Sequence, residues 1–282
     1  MICFIIKNMR CIFVNVMMLP FDITGSNAIR ASFMTSAFFS SLGWDPDDVD
    51  MVVLAEMFEA YGHAGSMIQH DLRDLGFTHT SLLSKSRQWY NTHGGVVVYS
   101  KYPISNIKWK SFHTSSGVDA LAAKGFLEFT INGYRVLATH LQSGNDRVND
   151  EQLEQIAEHV NSSSAGDSPD ILIGDFNRDI DTVAQVMHDG GYSAVNTDRG
   201  KMNANPLHAR TGGTPLAFDV DHVLVKTRNG AKKTLTLMRE FLVKGGRTIE
   251  ISALGPAQHG PLVRSHHLSD HMVIGFMYMF IN

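Results

Sequence analysis

Cysteine is scarce in this sequence. Cys3 and Cys11 are the only two in a chain of 282 residues, and both lie near its beginning. Two thiols cannot build a framework of disulfides, and their spacing is not that of a structural zinc site. Cysteine usage therefore gives no indication of the cellular compartment.

Long hydrophobic runs are also missing. No uninterrupted apolar run reaches the ~18 residues that a membrane-spanning helix requires. The first twenty residues resemble a signal peptide, but Lys7 and Arg10 interrupt the apolar runs and no small-residue cleavage site follows. The second run fits a core β-strand instead. We therefore expect a soluble protein, or one that associates peripherally with a membrane.

An excess of positive charge is absent as well, since the formal net charge is −4. A protein that binds nucleic acid non-specifically needs a basic face to neutralise phosphates, so DNA is disfavoured as the main partner, although a local basic patch is not excluded.

Hydrophobic residues make up 44% of the chain and charged residues 18%, which is enough for a sizeable core. We predict a single domain over 1–282.

The sequence contains many strand-like runs with helix-like segments between them. The runs are rich in β-branched and aromatic residues and lie near 11–17, 50–56, 95–100, 125–131, 134–141, 170–176, 220–226 and 271–280. Helices are predicted over 26–42 and 146–161, and Asn132-Gly133 predicts a tight hairpin turn. The fold class is therefore predicted to be α/β: a layered sandwich of two mixed, mostly antiparallel sheets, flanked by helices.

Acidic, amide and imidazole side chains recur where the predicted strands begin or end. They are Asn15, Glu56, His140, Asp175, Asn177, Asp221, Asp270 and His271. A hard divalent cation such as Mg²⁺ prefers carboxylate and amide oxygens, and histidine suits proton transfer near neutral pH. One carboxylate at a strand end is commonly a surface residue, but complementary groups at several strand ends indicate one shared site.

The motifs IGDFN, THLQ, SDH and DHVLV, together with Glu56, resemble the endonuclease/exonuclease/phosphatase superfamily of metal-dependent phosphodiesterases. They occur in the family's order across 11–280. NVMMLP at 15–20, GGVVVYSKYPI at 94–104 and GVDALAAKGF at 117–126 are similar to its neutral and bacterial sphingomyelinase branch. That resemblance implies hydrolysis of sphingomyelin to ceramide and phosphocholine by an activated water attacking in line.

The resemblance also implies the role of each site residue. Glu56 is the expected principal Mg²⁺ ligand, with Asn15 and Asp270 near the ion or its waters; Mn²⁺ and Co²⁺ are alternative ions. His271 is the expected general base, and Asp221 orients its ring. Asp175 is expected to position the attacking water, and Asn177 to hydrogen-bond the pentacoordinate phosphorus centre. His140 is expected to stabilise charge on the phosphate or to assist the leaving group. Lys124 is expected to contact the phosphate or to help organise Asp119.

The sequence departs from the family pattern at three positions. Ala55 stands where an amide often precedes the metal-binding glutamate, and His222 stands where an aromatic residue often follows Asp221. Asn149 stands where an arginine often precedes Gln152 by three residues. None of these changes removes a reacting group. They bear on specificity and efficiency more than on the type of reaction.

The implied partner is a phospholipid at a membrane surface, bound by a monomer. Trp89 and Tyr90 form an aromatic pair that suits a lipid–water interface or a choline-binding cage, although packing on the protein body is an equal alternative. A nuclease or another phosphoesterase of the same superfamily is the alternative function. A non-catalytic binding protein is disfavoured because all the reacting groups are present.

Overall fold

A computed structural model describes residues 7–19, 27–58, 62–82, 93–163, 167–194, 220–226, 233–252 and 262–280. Only the main chain is described at 7–8, 93, 118, 233–252, 262–273 and 278–280. Trp89 and Tyr90 lie outside the described residues, and so do the side chains of Asp270 and His271.

The described residues form twelve strands. In chain order these are β1 (Lys7–Met18), β2 (Met51–Met57), β3 (His79–Thr80), β4 (Val97–Ser100), β5 (Ile104–Ser111), β6 (Gly125–Ile131), β7 (Tyr134–His140), β8 (Ile171–Asp175), β9 (Tyr192–Ala194), β10 (Asp221–Lys226), β11 (Lys233–Ser252) and β12 (Leu262–Phe280). One six-stranded sheet has the order β11-β12-β1-β2-β4-β3, and the other has the order β5-β6-β7-β8-β10-β9. The prediction of two mixed sheets is confirmed.

Each sheet contains one parallel pair among antiparallel neighbours. In the first sheet β1 runs parallel to β2, and Asn15 pairs with Ala55. In the second sheet β7 runs parallel to β8, and His140 pairs with Asp175. Parallel strands end at the same edge of a sheet, so each pair brings two candidate site residues together.

Three apolar clusters fill the spaces between the layers. Residues from both sheets share the central cluster, as Val53 of β2 does with Ile173 of β8. Because side chains alternate across a strand, the neighbouring Leu54 faces the opposite side, towards α1 (Asn27–Leu42) and α2 (His63–Asp74). The helices α3 (Asp146–Ser162) and α4 (Ile180–Met187) cover the outer face of the second sheet.

The predicted helices and the predicted hairpin are confirmed. The helix expected over 26–42 is α1, and the one expected over 146–161 is α3. Asn132 and Gly133 have φ values of 54° and 83°, as a type I′ turn requires. Within the described parts of the chain, no helix has both the length and the apolar character needed to cross a membrane.

The final strand differs from its prediction. It begins at Leu262 rather than near 271, so Asp270 and His271 lie within β12 and not before it. The sequence analysis missed β11, and pairing with β11 accounts for the extension. That pairing is irregular, because Leu242 pairs with Met272 and Lys244 pairs with His267. Between these two pairs, one residue of β11 thus faces four residues of β12, 268–271. This break in the ladder contains both site candidates, Asp270 and His271.

Candidate functional site

The carboxyl ends of the two parallel pairs meet through the side chain of Asn15. This buried amide donates from Nδ2 to Glu56 Oε1 at 2.9 Å and to Asp175 Oδ2 at 3.0 Å. Glu56 lies near the end of β2 in the first sheet, and Asp175 is the last residue of β8 in the second sheet. One side chain therefore links two carboxylates that come from different sheets.

The orientation of Asn15 is set by a bulge at the end of β1. The pairing with β2 shifts between Asn15 and Met18, and Met17 has a φ of 49°. The main-chain amide of Met17 donates to Asn15 Oδ1 at 3.0 Å, which leaves Nδ2 directed at the two carboxylates. The fully buried Arg30 of α1 supports this bulge by donating to the carbonyls of Val16 and Met17.

The main chain at Glu56 is also unusual, because its φ is 53°. Gly95 packs directly against it, and a Cβ at position 95 would lie 2.9 Å from Glu56 Cα and 3.0 Å from Met57 N. Gly95 has a φ of 76°, a conformation that favours glycine. The direction of the Glu56 side chain therefore depends on the close approach of a residue without a side chain.

His140 completes a cluster with the two carboxylates. Its Nε2 lies 3.8 Å from Glu56 Oε1 and 3.8 Å from Asp175 Oδ2. One ligand atom from each of the three residues lies within 4.8 Å of the others. The two carboxylates supply the oxygen ligands that a hard divalent cation prefers, so the donor set fits such an ion.

Lys124 holds His140 from the other side. Its buried Nζ donates to His140 Nε2 at 3.0 Å and to the carbonyl of Leu141 at 2.7 Å, and it forms an ion pair with Asp119 Oδ2 at 2.8 Å. An ammonium group has three protons and no acceptor, so these contacts engage all three. His140 Nε2 is therefore the acceptor, which places the proton of the neutral ring on Nδ1.

The turn after β8 carries Asn177 in a left-handed conformation, with φ at 50°. Its main-chain amide donates to Asp175 Oδ1 at 2.9 Å, and its side chain donates to the carbonyl of Leu141 at 3.0 Å. The carbonyl of Leu141 thus accepts from both Asn177 and Lys124. The turns that follow β7 and β8 are joined at this oxygen.

Asp221 and His222 lie at the start of β10, beside this turn. Asp221 is buried and pairs with Asp175 across the sheet. His222 Nε2 donates to the carbonyl of Arg178 at 2.6 Å, and its ring lies against Phe176. Burial lowers the pKa of His222, which favours the neutral ring. The histidine thus replaces the aromatic residue of the family pattern and adds a hydrogen bond.

Most of the predicted residues with described side chains meet at one edge of the molecule. The contacts above join Asn15, Glu56, Asp119, Lys124, His140, Asp175 and Asn177, while Asp221 lies beside Asp175 in the sheet. Arg30 was missed. It lies four and eight residues before Met34 and Phe38 on the apolar stripe of α1, and a charge in that stripe was the available signal.

Comparison with known sequences identifies the family to which the chain belongs. A model described as "Endonuclease/Exonuclease/phosphatase family" matches residues 28–271. Among curated proteins, Sphingomyelin phosphodiesterase 5 of Danio rerio is 28% identical over an alignment of length 162, and the match covers 48% of this chain and 29% of that protein. The match thus spans less than a third of that relative's length.

Solved structures share the fold. Sphingomyelinase C from Streptomyces griseocarneus has a TM-score of 0.71 at 20% identity, over 98% of this chain and 100% of that one. A mutant of beta toxin from Staphylococcus aureus with bound magnesium ions has a TM-score of 0.70 at 18% identity, over 96% and 99%. TDP2 of D. rerio complexed with a single-strand DNA product has a TM-score of 0.56 at 15% identity, over 97% and 99%.

Proposed function

Because the chain belongs to the Endonuclease/Exonuclease/phosphatase family, we propose that it is a Mg²⁺-dependent phosphodiesterase that hydrolyses sphingomyelin to ceramide and phosphocholine. The observation that supports this proposal best is the cluster at the sheet edge. Glu56 and Asp175 approach from different sheets, Asn15 links them, and His140 lies 3.8 Å from both.

The metal site would consist of Glu56 with Asn15 and Asp270 near the ion or its waters. Bound Mg²⁺ supplies positive charge that stabilises the phosphoryl oxygens in the transition state. Asp175 orients the attacking water, and Asn177 donates to an oxygen of the pentacoordinate phosphorus centre. His271 removes the proton from the water, with Asp221 orienting its ring, a contribution of about 10²–10⁴-fold.

Lys124 is assigned to the support of the site and not to the phosphate. All three of its protons are engaged by Asp119, His140 and Leu141. His140 is then held with Nε2 near the carboxylates. Its proposed role is to stabilise charge on the phosphate or to assist the leaving group, for which Nε2 gains a proton and gives up the hydrogen bond from Lys124. Asp119 also accepts from the main-chain amide of Ser143 at 2.9 Å, which ties the 3₁₀ turn Gly117–Leu121 to this region.

Sphingomyelin is favoured as the substrate by the relatives. The curated relative is a sphingomyelin phosphodiesterase, and one of the solved structures with the same fold is a sphingomyelinase C. The substrate is therefore proposed to be a phospholipid at a membrane surface, bound by a monomer. A nuclease is the second candidate because the TDP2 structure with the same fold holds a DNA product. The net charge of −4 argues against it.

The test of the substrate is release of phosphocholine from vesicles that contain sphingomyelin. The reaction is run with Mg²⁺, Mn²⁺ or Co²⁺ and with EDTA, beside phosphatidylcholine vesicles and plasmid DNA. We expect metal-dependent release from sphingomyelin only. Cleavage of DNA instead would replace the substrate with nucleic acid, and no reaction with any of the three would overturn the proposal.

The assigned roles of Glu56 and His271 are tested by substitution. Glu56→Gln should raise the Mg²⁺ concentration needed for half-maximal rate, because a neutral amide is a weaker ligand. His271→Ala should abolish turnover while the circular dichroism spectrum stays unchanged. Glu154→Gln and His188→Ala, at residues outside the proposed site, are the matched controls. Full activity in His271→Ala would contradict its role as the base.

A further inference from the structure

Asn149 lies on α3, away from the reacting groups, yet its side chain contacts both turns that carry them. It is 1% exposed. Its Nδ2 donates to the carbonyl of Gln142 at 2.8 Å and to the carbonyl of Phe176 at 2.8 Å. Both acceptors are carbonyls, so the amide can only be oriented with its nitrogen towards them.

These two carbonyls belong to the segments that position the site. Gln142 follows His140 by two residues, and Phe176 lies between Asp175 and Asn177. The parallel ladder of β7 and β8 continues only as far as the hydrogen bond from Leu141 N to Asp175 O, at 2.9 Å. One residue further along each segment, Asn149 connects the carbonyls of Gln142 and Phe176.

A second side-chain amide on the same face of α3 binds the main-chain N–H of Gln142. Gln152 lies three residues after Asn149, and its Oε1 accepts from the main-chain amide of Gln142 at 2.8 Å. Gln152 Nε2 donates to the carbonyl of Thr114 at 2.8 Å. Both main-chain polar groups of Gln142 are thus bound to α3, so the position of the turn after His140 depends on this helix.

The other atom of the Asn149 amide argues against a role in stability alone. Its Oδ1 is buried and has no hydrogen-bond partner among the described residues. An unsatisfied buried acceptor is unfavourable, and its cost offsets what the two donated bonds contribute. An apolar residue of similar size would avoid this cost but would remove the two bonds that connect Gln142 and Phe176 through α3.

We infer that Asn149 is a positioning residue for the proposed phosphodiesterase reaction, an inference that rests on the proposed function. It sets the spacing between the turn after His140 and the turn that carries Asp175 and Asn177. It touches neither substrate nor metal. A misplacement of these groups by 1 Å is enough to lower a rate by about 10²-fold.

The variant that tests this inference is Asn149→Leu in the full chain, which removes both donors and keeps most of the volume. The matched control is Gln155→Leu on the same helix. Gln155 also makes two hydrogen bonds to main chain, from His113 N at 2.9 Å and to Ser111 O at 3.1 Å, but neither residue lies in the turn after β7 or the turn after β8. If Asn149→Leu does not fold, Asn149→Ala takes its place.

Three quantities are measured for each variant: kcat and KM for sphingomyelin hydrolysis, Mn²⁺ affinity by electron paramagnetic resonance, and the NMR signals of the His140 ring and the Asn177 side chain. For Asn149→Leu we expect kcat to fall by about 10²-fold with KM and Mn²⁺ affinity unchanged, and both NMR signals to shift. A kcat equal to that of Gln155→Leu, with a lower melting temperature only, would overturn the inference.

A wild-type protein without phosphodiesterase activity would overturn the proposed function and not this inference. The NMR signals then decide, because they need no substrate. Shifted His140 and Asn177 signals in Asn149→Leu, with unchanged signals in Gln155→Leu, would still show that Asn149 sets their positions. Unchanged signals in both variants would overturn the inference on its own.

Discussion

His222 shows how a single buried titratable side chain affects the turn beside the proposed site. Burial lowers its pKa below the usual value near 6.5, while its hydrogen bond to Arg178 O and the nearby Asp221 act in the opposite direction. The neutral ring packs on Phe176 and donates to Arg178 O. The unfolded chain takes up a proton near pH 6.5, but the folded chain takes it up only at lower pH.

The free energy of unfolding should therefore depend on pH through His222. Between its folded pKa and about 6.5 the unfolded state binds more protons, so stability falls as the pH falls through this window. His222→Phe keeps the aromatic packing and cannot titrate. It should be less stable than wild type above this window, and the difference should shrink as the pH is lowered.

Urea unfolding at a series of pH values across this window measures that difference. His188→Phe, at an exposed histidine, is the control for the loss of one histidine. A difference between His222→Phe and wild type that stays constant with pH would show that His222 does not contribute to the pH dependence.

At the scale of secondary-structure elements, the end of β2 depends on the approach of the segment that precedes β4. Gly95 lies there, and the space that a side chain would need is taken by the main chain of Glu56 and Met57. Glu56, which has a left-handed φ of 53°, is one of the two residues at this contact. Strain of this kind is commonly found where a site needs a particular side-chain direction.

Gly95→Ala should therefore displace Glu56 as well as destabilise the fold. We expect a loss of about 3 kcal/mol in the free energy of unfolding and a higher Mg²⁺ requirement for activity. Gly133→Ala is the matched control, because Gly133 also has a positive φ, 83°, but has no atom within 4 Å of the added Cβ. It should cost about 1 kcal/mol with no change in the Mg²⁺ requirement. Equal effects of the two substitutions would contradict this account of Gly95.

At the scale of the whole molecule, the proposed Mg²⁺ ligand Glu56 lies where the two sheets meet, next to Asp175. Glu56 comes from the sheet that contains β1, and Asp175 comes from the sheet that contains β8. The unfolded chain does not hold these carboxylates together. An ion that binds there should therefore stabilise the folded state of the entire domain.

Addition of Mg²⁺ should raise the melting temperature of the wild-type protein. At a concentration 100 times its Kd, the added stability is about 2.7 kcal/mol. Differential scanning calorimetry across a Mg²⁺ titration measures it. Glu56→Gln should show a much smaller shift, and Glu154→Gln should behave as wild type does. An undiminished shift in Glu56→Gln would place the ion elsewhere.

Local patterns in the sequence were sufficient for much of the fold. The Asn132-Gly133 pair predicted its turn, and the spacing of Leu153, Ile156 and Val160 predicted α3, because these signals arise between residues close in the chain. The sequence analysis missed α2, α4, β3, β5, β9 and β11. Among the described strands β11 pairs with β12 alone, so its pairing depends on a distant segment more than on its own pattern.

The chemical groups of the candidate site could be predicted from the sequence alone, since IGDFN, THLQ and the strand-end Glu56 are visible without coordinates. The way in which these groups meet could not be predicted, because it depends on the fold. Asn15 bonds to Glu56, 41 residues away, and to Asp175, 160 residues away. Such contacts depend on the packing of one sheet against the other and on φ values at single residues. Neither leaves a periodic signal in the chain, because both are set by residues distant in sequence.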